Sequence, residues 1–507
     1  MRFLLALSTA AAVVAATSSH STSTSRPHKR ADIDDCLADA GVPVDELDSD
    51  DWELDASPFN DRLPYTPAAI AAPTSVEHIQ AAVSCAAKLG IKVSPKSGGH
   101  SYASFGLGGE DGHLVVQLDR MDNVTLDAET NIATVQPGAR LGHVATLLND
   151  QGKRGFSHGT CPGVGVGGHS IHGGFGFSSH THGLAVDWIA GATVVLANGT
   201  AVKTSATENP DLFWAIRGAG SSFGIVSEFQ FNTFAVPDNV TSFEINLPWK
   251  NATNITAGWS AIQDYLLAGD MDPLLNMRVL GNGYQTQIQG LYHGNKTACN
   301  ETIQPLVKLV NGTLTKPVEY DWMGGISHYG YSQEVDLTRP YKQSETFYSK
   351  SLVTSALPAE VLQKVADYWV NEARNVTRSW YIIIDFYGGP TSAVTKVAAE
   401  DTSYAYRDPE NSLFLYELYD RSFGDYPEDG FTFLDGWVDA FTSGLEESQW
   451  GMYVNYADPT MDREQAQQVY YRQSLPKLRD IKKAVDPDEV FYYPQAVEPA
   501  KPADPEK

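Results

Sequence analysis

Cysteine is scarce in this chain. Only Cys36, Cys85, Cys161 and Cys299 occur among 507 residues. So few sulfurs exclude a disulfide-rich scaffold, and no C-x-x-C or H-x-x-x-H spacing offers a closed metal site. Basic residues are also in deficit: 36 Lys and Arg stand against 62 Asp and Glu, a formal charge of −26. Such a surface repels a phosphate backbone, which argues against nucleic acid as a partner. Beyond the first residues no apolar run is long enough to cross a membrane, so none is expected as a partner. No internal repeat is present, which excludes a solenoid or propeller. Nothing marks an oligomer, and a monomer is the default. The length is too great for one hydrophobic core, so two or three domains are expected.

What is present begins with MRFLLALSTAAAVVAA, one basic residue, a short apolar run and small residues. This pattern reads as a secretory signal peptide over residues 1–18. Residues 19–64 read as a leader and N-terminal arm. The Ser/Thr-rich part of that leader ends in Lys29-Arg30, as either a disordered leader or a short pro-segment. Nine Asn-x-Ser/Thr sequons, at Asn123, Asn198, Asn239, Asn251, Asn254, Asn295, Asn300, Asn311 and Asn375, support secretion and glycosylation. An oxidising route permits a Cys36–Cys85 disulfide pinning the arm, which leaves Cys161 and Cys299 over.

Further along, PTSVEHIQAAVSCAAKLG reads as a helix, with Thr74 and Glu77 as a capping box and Gly90 as its stop. The segments IKVSP, LVVQLD, NIATVQPG and GIVSEFQFNTF read as strands, LGHVATLLNDQG and NPDLFWAIRGAG as helices, and GATVVLANGTAV as a hairpin. Residues 65–240 thus form an α+β unit. Residues 241–450 carry six of the nine sequons and two apolar strands, SWYIIIDFYGG and SLFLYELYD, and read as a second domain. From Gly451, GMYVNYADP leads into one amphipathic helix, DREQAQQVYYRQSLPKLRDIKKAV, then VFYYPQAV. Residues 451–498 form a C-terminal segment, and 499–507 a charged tail.

The segment GFSHGTCPGVGVGGHSIHGGFG, residues 155–176, holds nine glycines, three histidines and Cys161. Three readings compete. Gly163, Gly165 and Gly168 match G-x-G-x-x-G with Asp187 placed as a ribose-binding acid, but Pro162 precedes them and no helical periodicity follows. Cys161, His169, His172, His180 and His182 could ligate a metal, the basis of a hydrolase alternative, yet no carboxylate lies between Asp150 and Asp187. The third reading is a glycine-rich structural loop. Close approach of backbone to a large flat or phosphorylated ligand explains the glycines better. KSGGHSYASFG shares the character, with His100 after Gly98 and Gly99. Two such loops, one ending in His and one bearing an unpaired Cys, suit a cofactor held by two nucleophilic side chains.

The motifs SPKSGGHSYASFG, HGTCPGVGVGGHSIHGGFG, DLFWAIRGAGSSFGIV, GMYVNYADP and VFYYPQAV together resemble the FAD-linked oxidases of the vanillyl-alcohol-oxidase superfamily. Within it the chain is most similar to the berberine-bridge-enzyme-like branch and its fungal gluco- and chitooligosaccharide oxidases. The resemblance implies a two-domain α+β fold of the vanillyl-alcohol-oxidase/PCMH type, with a substrate domain on an antiparallel sheet. It implies FAD held bicovalently, His100 to the flavin 8α carbon and Cys161 to C6. Ser97, Gly98, Gly99, Ser101, Tyr102, Pro162, Gly163, Val164, Gly165, Gly168 and His169 are implied in cradling the cofactor. Gly224, Ile225 and Val226 match its adenine and ribose side, and Tyr493 and Gln495 the stretch that returns to it. Val164 matches a position that controls oxygen access. Two covalent links raise the flavin's potential and allow an open cleft for an oligosaccharide.

On the substrate side the resemblance implies Tyr456 as general base and Asp385 as its supporting carboxylate. Without the resemblance, each reads as a packing tyrosine and a paired strand aspartate. Free tyrosine titrates near 10, so a partner able to take its proton would help it act. The implied reaction oxidises the anomeric C1 hydroxyl to a lactone, with O2 reduced to hydrogen peroxide. Tyr102, Tyr381, Glu417 and Tyr453 are the expected substrate contacts, and Trp322 and Tyr329 are further candidates for stacking on sugar rings. One departure stands out. The related sugar oxidases carry glutamines in the substrate strands, where Ile383 and Glu417 stand here. Subsite hydrogen bonding therefore differs and the preferred sugar is left open; independently, the same scaffold could serve a non-sugar alcohol or an acceptor other than O2.

Overall fold

The computed structural model describes residues 25–330, 334–409 and 411–501. The signal peptide read over 1–18 lies outside them. The leader is helical from Ser25 to Asp39. Ile33 and Leu37 of that helix are fully buried in a small core with Ile79, Val83 and Ala86 of the helix Val76–Leu89. The Cys36–Cys85 disulfide ties the two helices as expected, across 49 residues of sequence. The start of the second helix differs from the expected capping box. Ser75, not Thr74, is the N-cap, and its hydroxyl accepts from the His78 N–H.

Three larger sheets, beside the two-stranded pair Arg154–Gly155 and Phe234–Ala235, organise the described residues. Ala69–Ala71, Leu114–Gln117 and Val93–Lys96 form a small parallel sheet with Leu114–Gln117 in the middle. Val124–Leu126, Ile132–Val135, Ile225–Asn232, Ile189–Val195 and Ala201–Ser205 form a five-stranded antiparallel sheet in that order. The third sheet has nine antiparallel strands. Its centre runs Leu275–Asn282, Ser379–Phe386, Phe414–Ser422, Thr346–Thr354. Period-2 alternation gives each central strand two different faces. Trp380, Ile382 and Ile384 point into a core with Trp259, Trp369 and Trp437 of the helices Ala252–Leu267, Ala359–Asn371 and Glu428–Thr442. Tyr381, Ile383 and Asp385 point the other way. There they meet Arg278, which pairs with Asp385, and Glu417, which pairs with Ile383.

The C-terminal segment departs from its expected single helix. It forms two, Arg463–Tyr471 and Leu475–Val485, broken at Arg472 with φ 46°. Pro476 explains the break, because inside a continuous helix its ring would clash with the carbonyl of Arg472 and it has no N–H to donate. The chain then returns to the parallel sheet, where the Val93 N–H donates to Val490 O at 2.8 Å. The buried Lys482 ammonium fastens this return, donating to Ser222 O, Phe491 O and the Asp486 carboxylate. Trp322 and Tyr329, expected as sugar-stacking candidates, are core instead. Both are buried in a cluster with Phe177 and Phe234, and the Tyr329 hydroxyl donates to Gly290 O. Cys299 is fully buried and unpaired.

Candidate active site

A cavity of about 340 Å³ opens between the parallel sheet and the polar face of the nine-stranded sheet, within the ~300–1,000 Å³ usual for a ligand site. Both glycine-rich loops line it. His100 and Cys161, 61 positions apart in sequence, border the same space. Ser97, Gly98, Gly99, Ser101, Tyr102, Val164, Gly165, Gly168, His169 and Tyr493 line it as well.

The two loops touch each other directly. A Cβ on Gly98 would overlap the backbone of Gly165, and one on Gly165 would overlap Gly98 and the Ser97 hydroxyl. These glycines therefore let the loops close on one another as well as on a ligand. The Ser97 hydroxyl donates to Pro137 O at 2.6 Å and accepts from the Gly167 N–H. Arg140 donates to Gly98 O and Gly163 O, one carbonyl from each loop. Gly168 is different: no atom lies within 4 Å of where its Cβ would be, so its bare backbone faces the opening.

The histidines of residues 155–176 serve the loop rather than a metal. His169 Nε2 accepts from the Gly159 N–H at 2.9 Å, and His172 Nδ1 donates to Gly168 O at 3.0 Å. Farther on, His182 stacks on Phe234. Among the described residues no group of three His, Cys, Asp or Glu side chains could hold a metal ion. The dinucleotide reading also fails on Asp187, whose carboxylate is engaged by Arg407 and the Leu184 N–H. A helix does follow the glycines, contrary to the sequence expectation, but it is a single short turn, Val166–Ser170.

The electrostatics of the two nucleophiles follow from burial. His100 is held neutral, its pKa pushed down to about 3 by desolvation and then by Arg140. Its Nε2 is buried without a hydrogen-bond partner. Burial raises the Cys161 thiol, opposed by the Gly163 and Val164 N–H groups and by Arg140. A neutral imidazole, a free thiol and an open stretch of bare backbone in one cavity fit a flat cofactor attached at two points.

At the other side of the cavity lies a polar cluster. Asp385 is 7% exposed, and burial raises its carboxyl to about 7 despite the opposing charge of Arg278. Tyr456 borders both this cavity and a small adjoining chamber that contains Asp385, Arg278 and His180. Its ring stacks on Tyr102 at 5.4 Å with an 8° interplanar angle and meets Tyr453 edge-on. Burial, then the charges of Glu417 and Asp385, push the Tyr456 phenol well above its ordinary value. Glu417 accepts from Tyr102 at 2.8 Å and from Tyr381 at 3.0 Å, so one carboxylate organises two of the expected substrate contacts.

Several expected residues have other work. The Tyr453 hydroxyl accepts from the Gly174 and Phe175 backbone N–H groups and from the Asn455 side-chain amide, which makes it an anchor of the glycine loop at the cavity wall. Pro162 and Gly163 do not line the cavity. Pro162 O accepts from the Gly142 N–H, and Gly163 packs under Tyr341. Gly224, Ile225 and Val226 also lie off it: Ile225 and Val226 pair with Val195 and Val194 in the five-stranded sheet, and Gly224 packs against the same strand. Gln495 donates to Asp458 O and Met461 O, holding the loop after Tyr456. Sequence reasoning missed Phe59, Arg278, Gln343 and Asn455, all of which line the cavity. For Arg278 a signal existed: a lone arginine among apolar residues in NMRVL.

Comparison with known proteins gives this arrangement its class. Residues 67–205 match the FAD binding domain family, and 452–498 match the berberine and berberine-like family. The protein is therefore an FAD-dependent oxidoreductase. It is 68% identical over 498 residues to a xylooligosaccharide oxidase of Thermothelomyces thermophilus, covering 98% of this chain and 99% of that one. The structure of a Myceliophthora thermophila xylooligosaccharide oxidase with xylobiose superposes with a TM-score of 0.92 at 69% identity, covering 93% and 100% of the two chains. A glucooligosaccharide oxidase from Acremonium strictum, whose FAD is described as 6-S-cysteinyl and 8α-N1-histidyl, superposes at 0.89 with 44% identity over 93% and 100%. The chain belongs to the berberine-bridge-enzyme-like branch of the FAD-linked oxidases.

Proposed function

We propose that this chain oxidises the anomeric C1 hydroxyl at the reducing end of oligosaccharides to a lactone, which hydrolyses to the aldonic acid. One observation carries the reading: Tyr456 and Asp385 border the same space as the candidate flavin attachment points His100 and Cys161. Bound FAD supplies the two-electron acceptor, and O2 takes the electrons onward as hydrogen peroxide. His100 and Cys161 would hold the flavin covalently, and the loops at 97–102 and 164–169, with Tyr493, would orient it.

Tyr456 takes the hydroxyl proton as hydride leaves C1. Its phenol is too basic to be ionised at neutral pH, so it must pass its own proton on as it receives the sugar's. Asp385, titrating at about 7, is matched to that role. Arg278 keeps the carboxyl from rising further. Tyr102 and Tyr381, aligned by Glu417, present aromatic and polar edges to the sugar. Residues 65–240 form the FAD-binding domain, 241–450 the substrate domain and 451–498 the segment that brings Tyr456 back to the flavin. The leader and the nine sequons support a secreted glycoprotein; no helix among the described residues is long and apolar enough to span a membrane.

The 68% identical relative makes xylo-oligosaccharides the first class to test. Peroxide release and C1-oxidised product should be measured across xylo-, cello-, malto- and chito-oligosaccharides. Turnover of a reducing-end oligosaccharide with a C1-oxidised product is the expected result. No turnover of any sugar, with flavin intact, would overturn the substrate assignment.

A further inference from the structure

The His100 imidazole is held between two aromatic rings from distant parts of the chain. Phe59, in the N-terminal arm, stacks on it at 4.3 Å with a 27° interplanar angle. Tyr341 lies stacked against it at 5.8 Å and 24°. Neither ring makes a hydrogen bond to the imidazole, so they fix its plane without consuming a nitrogen. Both rings are themselves tied down. Asn60, beside Phe59, donates to Tyr102 O at 2.8 Å. Tyr341 covers the Arg140 guanidinium at 4.2 Å, and Arg140 bridges the His100 and Cys161 loops. Gly163, two residues after Cys161, must be glycine because a Cβ there would overlap the Tyr341 hydroxyl.

The strap that carries Tyr341 is latched to the arm that carries Phe59. Arg339, two residues before Tyr341, donates to Asp55 at 2.9 Å, to both oxygens of Asp119 at 3.0 Å and to Asp51. Asp336 of the strap is also tied, at 2.6 Å, to His143 of the helix Leu141–Gly152, which follows Arg140. Arm, strap and both glycine loops therefore converge on one imidazole.

We propose that Phe59 and Tyr341 are positioning residues for flavin attachment, holding the His100 ring in the one orientation that lets a ring nitrogen meet the flavin 8α carbon, with Arg339 as the latch of the clamp. This rests on His100 being an attachment point. In that attachment a C–H bond of the 8α-methyl and the imidazole N–H break and a C–N bond forms. The two electrons and two protons released end on dioxygen as hydrogen peroxide. The imidazole turns freely about two side-chain bonds unless neighbours fix it, and a misplacement of about 1 Å can cost on the order of 100-fold in rate.

The test uses the secreted protein in a Cys161→Ala background, where His100 is the sole expected link. Two quantities are read: total flavin bound, and the fraction that stays with the protein after acid precipitation. Cys161→Ala alone should keep its flavin in the pellet. If it does not, attachment at His100 fails, and this proposal falls with it. Adding Phe59→Leu or Tyr341→Leu should cut the acid-stable fraction by about tenfold, while flavin still binds. Tyr341→Phe should restore it, because the ring rather than the hydroxyl does the positioning. Arg339→Gln, which leaves both rings in place but frees the strap, should give an intermediate loss. Unchanged acid-stable fractions in the two leucine variants would overturn the proposal. So would a loss that Tyr341→Phe shares.

Discussion

Replacing Asp385 by Asn should weaken the enzyme and strengthen its fold, the second effect appearing only as pH rises. Asp385 is buried, and its carboxyl titrates at about 7 in the folded chain against 3.8 when free. The sign follows from proton binding. Between those values the unfolded chain is ionised while the folded chain keeps its proton, so folding stability falls as pH rises through this window and levels off above about 7. At pH 5 only the first part of the penalty is present, and at pH 8 all of it. The difference between the two is about 3 kcal/mol, taking about 1.4 kcal/mol for each tenfold change in proton activity. Asn carries no such penalty. The attraction of Arg278 for the ionised carboxylate is already contained in the folded value of about 7, so its loss is not counted a second time. With about 2.1 cal/mol/K of unfolding entropy per residue, a chain this long shifts by about 1 °C per kcal/mol. Asp385→Asn should therefore gain about 2–3 °C in Tm relative to the parent on going from pH 5 to pH 8. Differential scanning calorimetry at the two pH values measures it. A Tm difference that does not change with pH would refute the assignment of a buried, protonated Asp385.

Other predictions concern the site and the scaffold. In the parent, kcat/KM should fall as pH drops below about 7, where Asp385 takes its proton, and Asp385→Asn should abolish that limb along with most activity. Tyr456→Phe should slow anaerobic flavin reduction by sugar about 10²–10⁴-fold with flavin still bound; normal reduction would remove Tyr456 as base. Gly165→Ala places a Cβ in the Gly98 backbone, so the secreted variant should come out without flavin colour. Joint replacement of Cys36 and Cys85 by Ala releases a loop of 49 residues and should cost about 4 kcal/mol of stability, read as a fall of about 4 °C in Tm, with flavin content unchanged.

Much of this was legible in the sequence because glycine and cysteine are conspicuous where they are not needed for packing. The segment 155–176 and its partner SGGH point to a shared ligand from residue type and spacing alone. The sequence could not show that Gly98 and Gly165 also press on each other, since loop-to-loop contact has no local signature. Tyr453 illustrates a second limit. It shares its motif with Tyr456, and only the fold shows that its hydroxyl holds two backbone N–H groups of the glycine loop and the Asn455 side-chain amide. Gly224, Ile225 and Val226 match the cofactor's adenine and ribose side only through the resemblance, and pairing of Ile225 and Val226 with Val195 and Val194 buries that stretch. Phe59, Arg278 and Tyr341 were missed because single aromatic or basic residues carry no pattern. Their roles come from sequence-distant neighbours that only the folded chain supplies.

The central claim is a flavin clamped by two loops beside Tyr456 and Asp385, and proteolytic mapping of the secreted protein tests it most directly. Digestion and mass spectrometry should recover one flavin joining the peptide that contains His100 to the peptide that contains Cys161. Recovery of both peptides unmodified, from protein that turns over sugar, would contradict the account.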